Sequence, residues 1–131
     1  METAIVLPIF FLVVLGIIEF GRAFMVMQLV NTGAREGARL AISDGTTNEE
    51  VKTMIRNLVS NTASIPANKV DVDIEIAPYP GNADPNDLIE NAHKRDQITI
   101  DVSVAVADVS FVTPSAITSS HIRGTTTMRH E

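Results

Sequence analysis

The chain contains no cysteine, which removes disulfides and thiolate chemistry and leaves the redox compartment open. Positive charge is scarce as well: ten Lys and Arg stand against sixteen Asp and Glu, a formal net charge of −6. Nucleic acid is therefore not an expected partner, because phosphate contacts are made by Lys and Arg. No Gly-rich phosphate loop, nucleophile elbow or basic aromatic patch occurs. His93, His121 and His130 are isolated in sequence and stand at no metal-ligand spacing, so all three are expected on the surface. Asp84, Asp87 and Glu90 lack the Asp-x-Asp-x-Asp-Gly order and terminal Glu of a Ca²⁺ loop, and capping and solvation account for them better. No catalytic residue, metal ligand or cofactor is assigned, and an enzyme is not expected.

What is present is a long apolar start. Ala4 to Ile18 (AIVLPIFFLVVLGII) carries no Lys, Arg, Asp or Glu, with Glu2 just before it and Glu19 just after. Spanning a hydrocarbon core of roughly 30 Å takes about 20 apolar residues. The run is shorter, but apolar character resumes at Phe20 and continues from Ala23 to Met27. Glu19 and Arg22 lie at i,i+3, a spacing at which opposite charges neutralise each other on one helix face. A cleaved secretory signal is the poorer reading, since neither a basic n-region nor a small-residue cleavage site is present. Pro8 removes one backbone donor, so a kink or a locally opened turn is expected there.

Beyond Glu19 the pattern turns one-sided. Phe24, Met27, Val30, Ala34, Ala38 and Ala41 recur at the spacings of a helix laid on a core. Gly33, Ala34, Gly37 and Ala38 strip that face of bulk and let a sheet or second helix approach closely, which assigns them to helix-to-head packing. Gly33 and Gly37 also fit the small-xxx-small pattern of helix dimers, but they lie outside the apolar run, and packing on the chain's own head is favoured. The result is one helix over 1–43, apolar in front and amphipathic behind, followed by a head over 44–131. The helical part holds three acids and three bases, so the whole net charge sits in the head. A head this small is marginal by itself, and the back half of the helix completes its core.

The head is expected to be α+β. Ser43-Asp44-Gly45 ends the first helix, with Gly45 as a left-handed cap. Thr47 to Glu50 fits a capping box, and Val51, Met54, Ile55, Leu58 and Val59 carry a second helix to about Ser60. Val70, Val72, Ile74 and Ile76 alternate with Asp71, Asp73 and Glu75, the pattern of a half-buried strand. Residues 79–96 are polar, with a helical turn expected from Asp84-Pro85 through Ile89. A second strand places Ile98, Ile100, Val102, Val104 and Val106 on one face. After Pro114, a third over 120–130 turns Ile122, Gly124, Thr126 and Met128 inward. Three strands after a helix imply a small antiparallel sheet covering the long helix on one side. Arg123 and Arg129 then share a face and answer Asp71, Asp73 or Asp101 if the strands are neighbours.

Several short stretches together resemble TadE-like pilins of the tight-adherence (Flp) branch of type IV pilus machinery. They are Glu2-Thr3-Ala4 with IVLPIFFLVVLG, Ile18 to Ala23 (IEFGRA), Asn31 to Ala41 (NTGAREGARLA) and Thr127 to Glu131 (TMRHE). The resemblance implies a precursor cut by a prepilin peptidase after a glycine, held in the cytoplasmic membrane and then extracted by a pilus assembly platform. Its helix would pack with other copies or related pilins in an extracellular filament used for attachment, as main or minor subunit. The family's acid near the mature N-terminus maps onto Glu2, although no basic leader and no cleavage glycine precede it here. Glu2, Pro8, Glu19 and Arg22 are assigned to subunit assembly on this basis. An acid that leads a lipid-soluble run needs a partner, and the N-terminal amine of an adjacent helix would supply it, fixing axial register. Two other readings remain: a single-pass membrane-anchored envelope protein presenting a small binding domain, and a pseudopilin of a type II secretion system.

Overall fold

A single helix, α1 (Glu2–Ala41), occupies the first forty residues and everything else is gathered around its back half. The computed structural model describes residues 2–111 and 119–131, with side chains from Ile5 onward. The Glu2 side chain and Pro114, both singled out in the sequence, lie outside the described residues. At 1.5 Å per residue α1 is about 60 Å long, and it runs through Pro8 without interruption. The helix ends where Ile42 and Ser43 donate to the carbonyls of Ala38 and Leu40, and Gly45 follows at φ +84°.

α2 (Asn48–Ala63) starts at a full capping box. The Glu50 N–H donates to Thr47 Oγ1 at 3.4 Å, and the Thr47 N–H donates back to Glu50 Oε2 at 3.1 Å. Glu49 and Glu50 in the first turn also suit the positive end of the helix dipole. The helix runs three residues past the expected Ser60, to Ala63, which is itself buried, and Ser64 closes it in the left-handed region at φ 55°.

The sheet is an antiparallel meander of β1 (Val70–Ala77), β2 (Gln97–Ala105) and β3 (His121–Arg129), with β2 in the middle. Alternation along β1 and β2 is strict, and their even-numbered residues are buried. Both α1 and α2 lie on that face, so the architecture is the α+β arrangement expected from the pattern. The core joins Val26, Val30, Ala34 and Ala38 of α1 to Val51, Ile55 and Val59 of α2. From the sheet it takes the inward residues from Val70 to Ile76 and from Ile98 to Val104, together with Ile122.

Four details differ from the sequence reading. Phe24 and Met27 are 62 % and 46 % exposed, and the buried stripe begins instead at Val26. At about 100° per residue Phe24 lies roughly 120° round the helix from Val30, and Met27 lies on the flank. Val106 leaves the strand: its N–H still bonds the Ser120 carbonyl at 2.9 Å, but its carbonyl accepts from the Ser110 N–H at 3.0 Å, and residues Val106–Val109 form a short helix, α3, that buries Val109. The helical turn expected at 84–89 falls at Ile89–Asn91, because Asn86 and Asp87 both take positive φ (54° and 57°) and reverse the chain first. His130 is not a surface residue. Its side chain is only 12 % exposed, since its backbone continues the pairing of β3, donating to the Asp96 carbonyl and accepting from the Arg95 N–H.

Candidate assembly surface

The described front of α1 is largely bare. Ile5, Val6, Leu7, Ile9, Phe10, Phe11, Leu12, Val13, Leu15, Ile17, Ile18, Phe20 and Phe24 are each more than half exposed, and Val14 is half-buried. An apolar surface of this extent on one rod is far beyond what a monomer in water normally shows. Ile5 to Phe24 would cover about 30 Å as a helix, which matches a hydrocarbon core. By length and composition α1 is able to cross a membrane.

The boundary between bare rod and packed rod is marked by Arg22. Its Nε donates to the Val109 carbonyl at 2.5 Å, and its Nη2 reaches the Ala63 carbonyl at 3.4 Å. The guanidinium also lies 4.6 Å from the centre of the Phe111 ring, close enough for cation–π attraction. One cation thus closes the C-terminus of α2, where a positive charge is favoured, and fastens α3 to α1. Glu19, one turn ahead, is half-buried. Arg22→Ala should loosen this collar at a cost of about 2 kcal/mol, the sum of a charge-assisted bond and the ring contact. Arg22→Lys should recover little, because an ammonium cannot serve two carbonyls and stack at once. Amide exchange at Val109 and Ser110 is the measurement, and wild-type protection in the Lys variant would count against the guanidinium geometry.

Behind the collar, Gly33, Ala34, Gly37 and Ala38 all lie buried. A Cβ on Gly33 would meet Ile55 Cγ2 at 3.4 Å, and one on Gly37 would run into the Ile55 side chain and meet Ile100 Cδ1 at 3.3 Å. These glycines bring α2 and β2 onto α1. Gly124 does the same for β3, and here the neighbour is the α1 backbone itself, at Val30 and Asn31.

One long loop, between β1 and β2, closes an end of the head. Asp84 and Asp87 are committed to backbone donors, Asn86 N–H at 2.9 Å and Ile76 N–H at 2.8 Å. Asn48 ties this loop to α2, donating to the Asp87 carbonyl and accepting from the Ile89 N–H. Asp96, which carried no signal in the sequence, is fully buried. Burial pushes its carboxyl up, but hydrogen bonds from the Tyr79 N–H, the Asn82 amide and the His93 N–H, with the nearby His93 charge, outweigh that and hold it below the usual carboxylate range.

A small α+β head, mounted on one end of a helix whose other end is bare and apolar, defines a stalk-and-head protein suited to a membrane anchor. Residues 1–39 of the chain match the family described as TadE-like protein, so the likeness read from the sequence is shown over this helix. No curated protein and no solved structure matches the chain.

Proposed function

We propose that the chain is a pilin-like subunit of a tight-adherence system, held in the cytoplasmic membrane by the front of α1 and then built into an extracellular filament used for attachment. The observation that carries this reading is the bare stalk ahead of Arg22, whose many exposed large side chains need lipid or another helix around them. Removing each such side chain from water contributes about 1.5–3 kcal/mol, so a bundle of stalks is stable once outside the membrane. Gly16 and Gly21 have open space around them, which leaves room for a neighbouring helix. The partners are other copies or related pilins, with a prepilin peptidase and an assembly platform acting beforehand. Pro8, Glu19 and Arg22 lie along the contact length, and Glu2 sets register against the amine of the next helix.

The test is fractionation of cells carrying the intact chain. Recovery in sheared surface filaments, identified by mass spectrometry, is the expected result. Recovery only in detergent extracts would instead make it a single-pass envelope protein that presents its head as a binding domain. Glu2→Ala is expected to slow filament yield severely while amide exchange in the head stays unchanged. A normal yield would remove Glu2 from the assembly role.

A further inference from the structure

The outer face of the sheet, which neither α1 nor α2 covers, is divided by charge. Asp71, Asp73 and Glu75 project from β1 at one edge, and all three are exposed. Among the described residues none of them has a cation within ion-pair reach. Asp73 stands directly opposite Asp101 on β2, so the acids are concentrated rather than compensated. At the other edge β3 carries Arg123 and Arg129, both exposed. Arg123 leans back to Asp101 at 3.5 Å but leaves 65 % of its side chain exposed. No ion-pair partner for Arg129 lies among the described residues.

The register makes these two edges match. Asp71 pairs with Ser103 and Ser103 with Arg123, while Ala77 pairs with Gln97 and Gln97 with Arg129. A copy of the head moved sideways in the same orientation therefore sets Asp71 at the level of Arg123, with Asp73 two residues along, and Glu75 two residues from the level of Arg129. Heads carried on parallel stalks share that orientation. Continuing the ladder from copy to copy is blocked at β1, because Asp73 accepts from the Ile74 N–H, Asp87 accepts from the Ile76 N–H and the Arg56 guanidinium covers the Val70 carbonyl. Edges blunted in this way do not extend a sheet, which leaves side-chain charge as the contact.

We propose that neighbouring copies of this chain meet head to tail, the acidic β1 edge of one against the basic β3 edge of the next. The contact is heterologous and does not close on itself, so it propagates along a row of subunits. It rests on the reading of the chain as a subunit that gathers in copies, and it adds to that reading which faces meet and in what order.

The natural chain has no cysteine, so placed thiols report cleanly. Ala77→Cys and Thr127→Cys, which the register sets two residues apart along facing edges, are made singly and together in the full chain, and membranes are treated with a short bis-maleimide. The doubly substituted chain is expected to give a ladder of dimers, trimers and higher species, and each single variant alone is expected to give none. Salt at about 1 M cuts the screening length to about 3 Å and should weaken the ladder about fivefold or more. Arg123→Gln with Arg129→Glu should abolish it, and adding Asp71→Lys with Glu75→Lys should restore it, since Asp73 is left in place to cap Ile74. Dimers from a single-thiol variant, a series that stops at dimer, or a ladder indifferent to salt and charge reversal would each overturn the proposal. A ladder lost to salt but absent from filaments would defeat the filament reading alone. Filaments that contain the chain yet give no ladder would defeat this contact alone.

Discussion

Gly124→Ala should cost the head about 3 kcal/mol, at the upper end of what overpacking usually exacts, and Gly124→Val should leave it largely unfolded. A Cβ at this position would sit 2.7 Å from the Asn31 nitrogen, 2.8 Å from the Val30 carbonyl carbon and 2.9 Å from the Val30 oxygen. All three are backbone atoms inside α1, so no rotamer change relieves the clash and β3 must lift off the helix. Lifting it exposes Ile122 and unseats the strand that faces Val102. The loss is large against the total stability available to a small domain, on the order of 5–15 kcal/mol. Two other glycines serve as internal standards. Gly37→Ala runs into Ile55 at its Cδ1 and, at 2.9 Å, its Cγ1; Ile55 is fully buried, but the obstacle is a side chain that can shift with α2 and not the backbone of a neighbouring helix. Its cost is reduced by the helix propensity gained, about 1 kcal/mol, for a net loss of roughly 1 kcal/mol. Gly33→Ala makes ordinary contacts at 3.4 and 3.6 Å, so the same propensity gain should make it neutral or stabilising by about 0.5 kcal/mol. Urea unfolding of the detergent-solubilised chain, followed by exchange of β3 amides, gives the order. Equal effects at Gly124 and Gly33 would mean that β3 does not lie on the helix backbone as described.

The same close approach shows why some of this molecule was legible in its sequence and some was not. Periodicity names the face of an element, but repeated steps of three drift round it, and the pattern does not say how wide a neighbour reaches. The stripe from Val30 through Ala41 was therefore readable, whereas Phe24 and Met27 fit the spacing and still fall to the side of the face that the head covers. Local chemistry is more reliable than reach. The Thr47–Glu50 box and the alternation of β1 depend on residues a few positions apart and form as the pattern requires. Register depends on two distant segments, and only the structure picks Asp101 from the three acids offered to Arg123. Val106 continued an alternating pattern, and its N–H still reaches the carbonyl of Ser120, next in the β2–β3 register, but its own carbonyl accepts from the Ser110 N–H and the chain turns into a helix there. Asp96 was the least legible of all. An acid in a polar stretch looks the same whether it is solvated or collects loop amides, and nothing in its spacing marks the difference.

That hidden acid carries the last large effect. Asp96 Oδ1 accepts from the Tyr79 N–H at 2.8 Å and from Asn82 Nδ2 at 2.6 Å, while Oδ2 accepts from the His93 N–H at 2.7 Å. Asn82 continues to the Lys94 carbonyl at 3.0 Å, so one carboxylate gathers both ends of the loop between β1 and β2. Asp96→Ala should cost about 3–4 kcal/mol, since it leaves three donors around a buried site without their acceptor. Asp96→Asn should cost about 2 kcal/mol: its oxygen can keep the two bonds made by Oδ1, but its amide then faces the His93 N–H, donor against donor. The two variants also differ from wild type in their response to acid. The folded carboxyl titrates below its ordinary value, and an unfolded Asp titrates near 3.9. Its contribution is therefore complete above about pH 4 and drains away as the pH falls through the folded value. The gap in urea midpoint between wild type and Asp96→Asn should be widest near pH 6 and narrow steadily towards pH 2. A gap of constant width across that range would mean that the loop is held by packing and not by the charge on Asp96.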